Sequence, residues 1–224
     1  MSKAGKLYIV ATPIGNPRDI TLRALDILKT VDGIICEERR EGSTLLKRLE
    51  VPERELITLN EHNEAEMTAD LVLRMFKGAS FALISDAGTP VFADPGAYLI
   101  QEASLSGLQV MPIPGPSSLM AALSILDFKI EKFVYGGFLS RVPGERRQEL
   151  TRLRGLRMPL VLMDTPYRLA ALLDDVEKTF GKGQRLTLGF DLTLPSEIIA
   201  RGTPAEVKKI LGPRKGEFIL IVHG

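Results

Sequence analysis

The stretch from residue 85 to residue 96 holds residue types that suit the binding of a small polar molecule. Its sequence is Ser-Asp-Ala-Gly-Thr-Pro-Val-Phe-Ala-Asp-Pro-Gly. The carboxylates of Asp86 and Asp94 can accept hydrogen bonds from hydroxyl or amino groups. The two glycines let backbone approach a ligand closely, and the two prolines stiffen the loop. The same residues also suit a tight connection that caps a helix, because Asp94-Pro95 is a good N-cap and first-turn pair. Both interpretations are open at this point.

The pattern around this stretch predicts a loop between a strand and a helix. A short apolar run at residues 80–84 precedes it, and a helical pattern at 97–103 follows it. Such loops lie at the carboxyl ends of strands in open α/β sheets, where ligands bind. Two further predicted strands, 7–11 and 109–113, also end in loops rich in glycine and proline. We therefore expect a pocket lined by three strand exits.

Strand and helix patterns alternate along the chain, which predicts an α/β fold with mostly parallel sheets. We expect an N-terminal α/β domain over residues 1–115 and a C-terminal α/β domain over 116–224, in which the last strand pairings are antiparallel. Asp19 is expected to cap a helix that runs to about Thr30. The charged run at residues 37–40 follows the second strand, so it is expected as a loop at the same sheet edge as the pocket.

Composition narrows the class of protein. The chain has 224 residues, and 29 Lys and Arg against 28 Asp and Glu leave a net charge of +1, so a nucleic-acid surface would have to be a local patch. The single cysteine, Cys36, excludes an internal disulfide. The first residues lead directly into a strand, without a signal-peptide pattern, so a cytoplasmic location is expected. The sequence has no apolar run near the roughly 20 residues that span a bilayer.

Several chemistries lack their sequence signals. No Gly-x-Gly-x-x-Gly follows a strand, so neither the dinucleotide fingerprint nor the related glycine-rich methyltransferase loop is present. His62 and His223 are the only histidines, which makes zinc ligation by the usual His and Cys set improbable, and no metal is expected. A Gly-x-Ser-x-Gly nucleophile elbow is also missing.

Taken together, the motifs resemble the tetrapyrrole methylase family, and within it the branch that 2′-O-methylates a cytidine of small-subunit ribosomal RNA. The resemblance covers nearly the whole chain. It is carried by the central loop and by the segments at residues 11–16, 19–25, 61–64, 114–117, 144–147, 201–203 and 215–218. It implies two α/β domains with a cleft between them for S-adenosylmethionine, ribosomal RNA or the small ribosomal subunit as partner, and a homodimer.

The resemblance also gives roles to particular residues. The donor carries its own reactive methyl group, so the protein must mainly hold donor and nucleophile in line and accept a proton. The expected donor-binding residues are Pro13, Ile14, Gly15, Ser85, Asp86, Ala87, Gly88, Thr89, Val91, Asp94, Pro114 and Ser117, with Asp164 and Thr203 carried over from the family as residues near the adenine. Glu37 is the best placed carboxylate for a general base, although it can equally be an ordinary surface residue.

Arginines suggest where RNA would bind. Six of them fall between residues 141 and 157, with two glutamates among them, and Arg39 and Arg40 add charge beside the first pocket. Such a density suits phosphate contacts, and Arg40, Arg146 and Arg147 are the predicted RNA-binding residues. A solvated helix face explains the same cluster equally well. Aromatic residues are only 6% of the chain, so the composition does not indicate a base-stacking surface.

Departures from the family pattern affect the substrate more than the donor. The chain has Glu37-Glu38-Arg39-Arg40 where the RNA enzymes usually have Glu-Asp-Thr-Arg, and residues 164–168 and 190–194 also differ. Two other interpretations therefore stay open. One is a methyltransferase acting on a tetrapyrrole or another small molecule. The other is a sensor that binds S-adenosylmethionine or RNA without catalysis.

Overall fold

The computed structural model describes residues 4–91 and 94–224, so Phe92 and Ala93 of the central loop lie outside the described residues. The chain divides into two compact units, Met1–Ser117 and Ser118–Gly224. Each unit is built on one five-stranded sheet.

All strand pairs of the first sheet are parallel, and the strand order is β3-β2-β4-β1-β5. The strands are β1 (Lys6–Val10), β2 (Gly33–Cys36), β3 (Glu55–Thr58), β4 (Phe81–Ile84) and β5 (Gln109–Ile113). Every residue of β2 and β4 is buried, which fits their continuous apolar sequences and a sheet covered on both faces. Because the strands are parallel, all five carboxyl ends lie at one edge.

Helices cover both faces of this sheet. They are α1 (Leu22–Thr30), α2 (Arg39–Arg48), α3 (Glu64–Phe76) and α4 (Ala97–Leu105). α1 and α2 pack with Val10 and Ile34 in one apolar cluster, whereas α3 and α4 pack with Leu7 and Ile35 in another. The neighbouring strands β1 and β4 therefore lead to helices on opposite faces. Strand exits of this kind, at the carboxyl edge of an open sheet, are where ligands bind in α/β folds.

Two local predictions in this unit were wrong. Asp19 does not cap α1: residues Pro17–Asp19 form a single 3-10 turn, and the Thr21 hydroxyl accepts the amide N–H of Ala24 at 3.1 Å instead. The charged run at residues 37–40 is also not all loop, because α2 begins at Arg39.

The second sheet is mixed, with strand order β6-β7-β10-β8-β9. Its strands are β6 (Val134–Phe138), β7 (Leu160–Asp164), β8 (Leu186–Phe190), β9 (Ile198–Gly202) and β10 (Phe218–Val222). β6 and β7 are parallel, and the other three pairs are antiparallel. This confirms the expectation that the last pairings of this half are antiparallel.

Four helices complete the second unit: α5 (Ser118–Ser124), α6 (Pro143–Arg154), α7 (Leu169–Phe180) and α8 (Pro204–Leu211), with a 3-10 turn at Pro166–Arg168 before α7. α6, α7 and α8 bury Leu150, Leu172 and Val207 in the main core, while α5 packs Ala122 against Val161 on the other face of the sheet. The two α/β units confirm the predicted fold class. Among the described residues, no helix is long and apolar enough to cross a bilayer.

Candidate active site

The loops that leave β1 and β4 are joined at the carboxyl edge of the first sheet. Thr12 and Gly88 exchange two backbone hydrogen bonds, with N···O distances of 2.8 Å from Thr12 and 3.1 Å from Gly88. The buried Thr12 hydroxyl also donates to the carbonyl oxygen of Ser85 at 3.1 Å. The two loops therefore form one connected surface.

The loop after β5 is attached to the same surface. The hydroxyl of Thr89 donates to the carbonyl oxygen of Pro116 at 3.2 Å. The structure thus brings together the three glycine- and proline-rich loops that the sequence predicted to line a pocket, including Ile14, Gly15, Ala87 and Pro114. Ser85 differs from the others, because its buried hydroxyl is turned inward and donates to the carbonyl oxygen of Gly88 at 3.0 Å.

Gly88 has a backbone conformation that favours glycine. Its φ is +84°, and a Cβ atom placed there would lie 3.2 Å from Cγ2 of Ile14. Val91, three residues later, also has a positive φ of 77°, which is rare for a β-branched residue. Strained backbone of this kind persists where the surrounding structure fixes it and clusters at ligand sites.

Three carboxylates gather at this edge: Glu37 after β2, and Asp86 and Asp94 after β4. Burial raises the pKa of Glu37, and the negative charges of Asp94 and Asp86 raise it further. Partial burial and then Asp94 raise the pKa of Asp86 in the same way, and burial raises that of Asp94. These negative charges are costly to hold together, so the cluster favours a cationic ligand. Within residues 4–91 and 94–224 the acidic and other candidate side chains form no arrangement that could hold a metal ion.

Asp94 is not the cap of the helix that follows it. α4 begins after Gly96, and Oε1 of Glu64 accepts the amide N–H groups of Gly96 at 2.9 Å and Tyr98 at 3.1 Å. The helix-capping interpretation of Asp94 is therefore wrong. Glu64, at the start of α3, caps α4 instead, so the Asp94 carboxylate is not used for capping.

Two residues of this edge, Thr12 and Glu64, have roles that their local sequence does not predict. The hydroxyl of Thr12 joins the loop after β1 to the loop after β4. Glu64 accepts the first amide N–H groups of α4. A buried threonine at a strand exit is a weak signal that could have pointed to Thr12, whereas the partner of Glu64 lies 32 residues away in sequence and carries no local signal.

In the second unit, Asp164 is buried at the end of β7. Its Oδ1 accepts the amide N–H of Thr165 at 2.7 Å and lies 3.2 Å from Nε of Arg168, while its Oδ2 has no hydrogen-bond partner among the described residues. Thr203 is the N-cap of α8, and its hydroxyl and backbone N–H take part in a capping box with Glu206. Their roles as donor-binding residues stay predictions.

The structure contradicts the predicted RNA-binding role of Arg146. Its guanidinium is only 5% exposed and forms an ion pair with the equally buried Asp175, with an Nη2···Oδ2 distance of 2.6 Å. A buried charge needs such a partner, so Arg146 fixes α6 to α7 and does not reach a phosphate. Arg147 is 45% exposed, at 3.3 Å from the same carboxylate, and Arg40 is exposed on the first turn of α2. Both stay candidates for RNA contact.

Comparison with known proteins gives the class of this chain. The family model of the Tetrapyrrole (Corrin/Porphyrin) Methylases matches residues 6–208. The chain belongs to this family, and it is a methyltransferase that uses S-adenosylmethionine as the methyl donor. The recognised motifs and the predicted fold class are thereby confirmed.

Particular relatives are similar over nearly the full chain. "Ribosomal RNA small subunit methyltransferase I" of Xylella fastidiosa is 40% identical, and the match covers 100% of this chain and 83% of the relative. The protein of the same name from Leptospira biflexa is 36% identical, with 98% and 91% covered. Among solved structures, uroporphyrin-III C-methyl transferase from Thermus thermophilus complexed with S-adenyl homocysteine has a TM-score of 0.68 at 16% identity, covering 98% of this chain and 97% of that one.

Proposed function

We propose that this chain transfers a methyl group from S-adenosylmethionine to the ribose 2′-hydroxyl of a cytidine in small-subunit ribosomal RNA. The observation that carries the proposal is the 36–40% identity, over 98–100% of this chain, to proteins named for methylation of that RNA. The structural likeness to uroporphyrin-III methyltransferases, at 16–21% identity, supports only the fold. The proposal for the substrate rests on the relatives of higher identity.

The donor suits the carboxyl edge of the first sheet. S-adenosylmethionine carries two positive charges, on its sulfonium and its amino group. Asp86 and Asp94 are negatively charged and partly buried, so a bound cation would stabilise their ionised form. Backbone of Pro13, Gly15, Ala87 and Ser117 is proposed to line the same pocket. The hydrogen bonds that join these loops are proposed to hold the donor in line with its acceptor.

Glu37 is proposed as the base that accepts the proton of the ribose hydroxyl. A carboxylate of ordinary pKa is a poor base near neutral pH, and a raised pKa brings the group closer to the pH at which the enzyme works. Burial and the neighbouring Asp94 and Asp86 raise the pKa of Glu37 in that direction. A bound cationic donor would offset part of this shift.

On the RNA side, the exposed guanidinium groups of Arg40 and Arg147 are proposed to contact phosphates.

We further propose that the enzyme acts in the cytoplasm on the small ribosomal subunit, as a homodimer. Sedimentation at micromolar concentration is expected to give a dimer, and a monomer there would contradict this part of the proposal.

Transfer of labelled methyl groups from S-adenosylmethionine tests the activity. Three acceptors are compared: small ribosomal subunits from a strain that lacks the gene, the same subunits from the parent strain, and a tetrapyrrole precursor. We expect label in the first acceptor, little in the second because its site is already methylated, and none in the third. Label in the tetrapyrrole alone would overturn the RNA substrate. Donor binding without transfer to any of the three would indicate a sensor.

A further inference from the structure

Tyr167 is the most exposed aromatic residue in the described part of the chain. Its exposed fraction is 80%, whereas the next aromatic residue, Phe76, reaches 51%. A ring so exposed gains little from folding, because it buries little apolar surface. A contribution to the stability of the fold therefore does not explain a tyrosine at this position.

The turn that carries Tyr167 is nevertheless firmly held. Tyr167 lies in the 3-10 turn Pro166–Arg168 at the end of β7. The next residue, Arg168, donates from Nη2 to the carbonyl oxygens of Leu139 at 3.0 Å and Ser140 at 2.8 Å, and its Nε lies 3.2 Å from the buried Asp164. The ring is thus presented to solvent from an anchored support, which lowers the entropy that a stacking partner must overcome.

Positive charge lies against this ring and on a loop joined to its turn. The Nζ atom of Lys215 lies over the ring, 5.3 Å from its centroid, while Tyr167 stays 80% exposed. Arg168 also connects the turn to the loop after β6, where the next residue along, Arg141, is exposed. Proteins bind unpaired nucleotides with exposed aromatic rings that have cations nearby: the ring stacks on a base, and the cations contact the adjoining phosphates.

We propose that Tyr167 stacks on an unpaired base of the RNA substrate, and that Lys215 and Arg141 contact the phosphates on either side of that base. This inference rests on the proposed function, since it assigns a binding subsite for the same RNA. It also gives the second unit a substrate-binding surface in place of Arg146, whose guanidinium is buried.

Variants of Tyr167 test the stacking. The probe is small-subunit ribosomal RNA stripped of protein, with RNA affinity and donor affinity measured separately. Tyr167→Ala should bind RNA roughly 5- to 150-fold more weakly, the range for loss of one stacked base. Tyr167→Phe keeps the ring and should bind as the wild type does. Phe76→Ala is the matched control, because Phe76 is half exposed at the end of α3, away from the strand exits, and it should have no effect.

Variants of the cations test the phosphate contacts. Lys215→Gln and Arg141→Gln should each lower the slope of log affinity against log salt by about 0.7, the value for one phosphate on a single strand. Lys182→Gln is the control, since Lys182 is exposed in the turn before β8, at the other edge of the sheet, and it should leave the slope unchanged.

The outcomes separate this inference from the proposed function. Wild-type RNA affinity in Tyr167→Ala, with methyl transfer to RNA intact, would overturn the stacking subsite alone. A loss of donor affinity without a loss of RNA affinity would also overturn it, because the ring would then serve the donor. An equal loss in Tyr167→Phe would show that the hydroxyl matters and not the stack. Absence of methyl transfer to any RNA by the wild type would overturn the proposed function itself.

Discussion

Replacing Gly88 by alanine separates the role of the central loop in donor binding from its role in folding. Gly88 has a φ of +84°, and Gly107, in the turn between α4 and β5, has a similar φ of +74°. An L-residue in this conformation costs roughly 1–2 kcal/mol. At Gly107 an added Cβ would meet nothing within 4 Å, whereas at Gly88 it would lie 3.2 Å from Cγ2 of Ile14.

Both variants should therefore lose similar stability, and only one should lose donor affinity. A cost of about 1–2 kcal/mol corresponds to a fall of roughly 2–8 °C in melting temperature for a chain of this size. In Gly88→Ala, Ile14 must also move by a few tenths of an ångström, and Ile14 belongs to the proposed donor pocket. We expect an additional loss of about tenfold in donor affinity, or about 1.4 kcal/mol. Gly107 lies at the opposite sheet edge, so Gly107→Ala should bind the donor normally.

Differential scanning calorimetry gives the two melting temperatures, and titration calorimetry with S-adenosylmethionine gives the two affinities. The comparison matters more than either value, because it removes the common backbone cost. Equal donor affinity in Gly88→Ala and Gly107→Ala, at similar loss of melting temperature, would refute the placement of the donor against this loop.

Three further variants test other parts of the account. Glu37→Gln should slow methyl transfer by about 10²–10⁴-fold with donor binding kept, and it should remove the rise in rate with pH whose midpoint, in the wild type, lies above the ordinary pKa of a glutamate. Asp86→Asn should raise the melting temperature at neutral pH, because the fold raises the pKa of Asp86 and the charged carboxylate is therefore unfavourable in the folded state. This gain in melting temperature should vanish as the pH falls below the ordinary pKa of an aspartate. The same variant should bind the donor more weakly. Arg146→Ala should destabilise the protein by up to about 3–5 kcal/mol in urea unfolding, since it removes the buried partner of Asp175 and leaves that carboxylate with the half-exposed Arg147 alone. Its control, Arg154→Ala on the exposed side of α6, should cost less than about 1 kcal/mol.

Local patterns were enough to predict the elements that position the site. Short apolar runs predicted β1, β4 and β5, and their alternation with helices implied that their exits meet at one edge. Glu37, Asp86 and Asp94 were placed there without coordinates, and the structure puts their charges within reach of one another. Parallel pairing makes this inference possible, because it fixes which strand ends lie together.

Properties that depend on distant partners were not predictable in this way. Arg146 looked like its exposed neighbours until Asp175, 29 residues later on α7, proved to be its partner. The cap of α4 comes from Glu64 on another helix, so Asp94 looked like a cap from its sequence position. Tyr167 is one of four tyrosines, and only its exposure in the fold distinguishes it. Burial and exposure are outcomes of tertiary packing, which a local pattern does not contain.

Mapping of ribose methylation in small-subunit ribosomal RNA tests the central claim most directly. A 2′-O-methyl group blocks alkaline cleavage of the adjoining phosphodiester, so each methylated nucleotide leaves a gap in the cleavage ladder. The account predicts that a gap at one cytidine disappears in a strain lacking the gene, returns with the wild-type gene, and stays absent with the Glu37→Gln variant. Identical ladders from the parent and the deletion strain would contradict it.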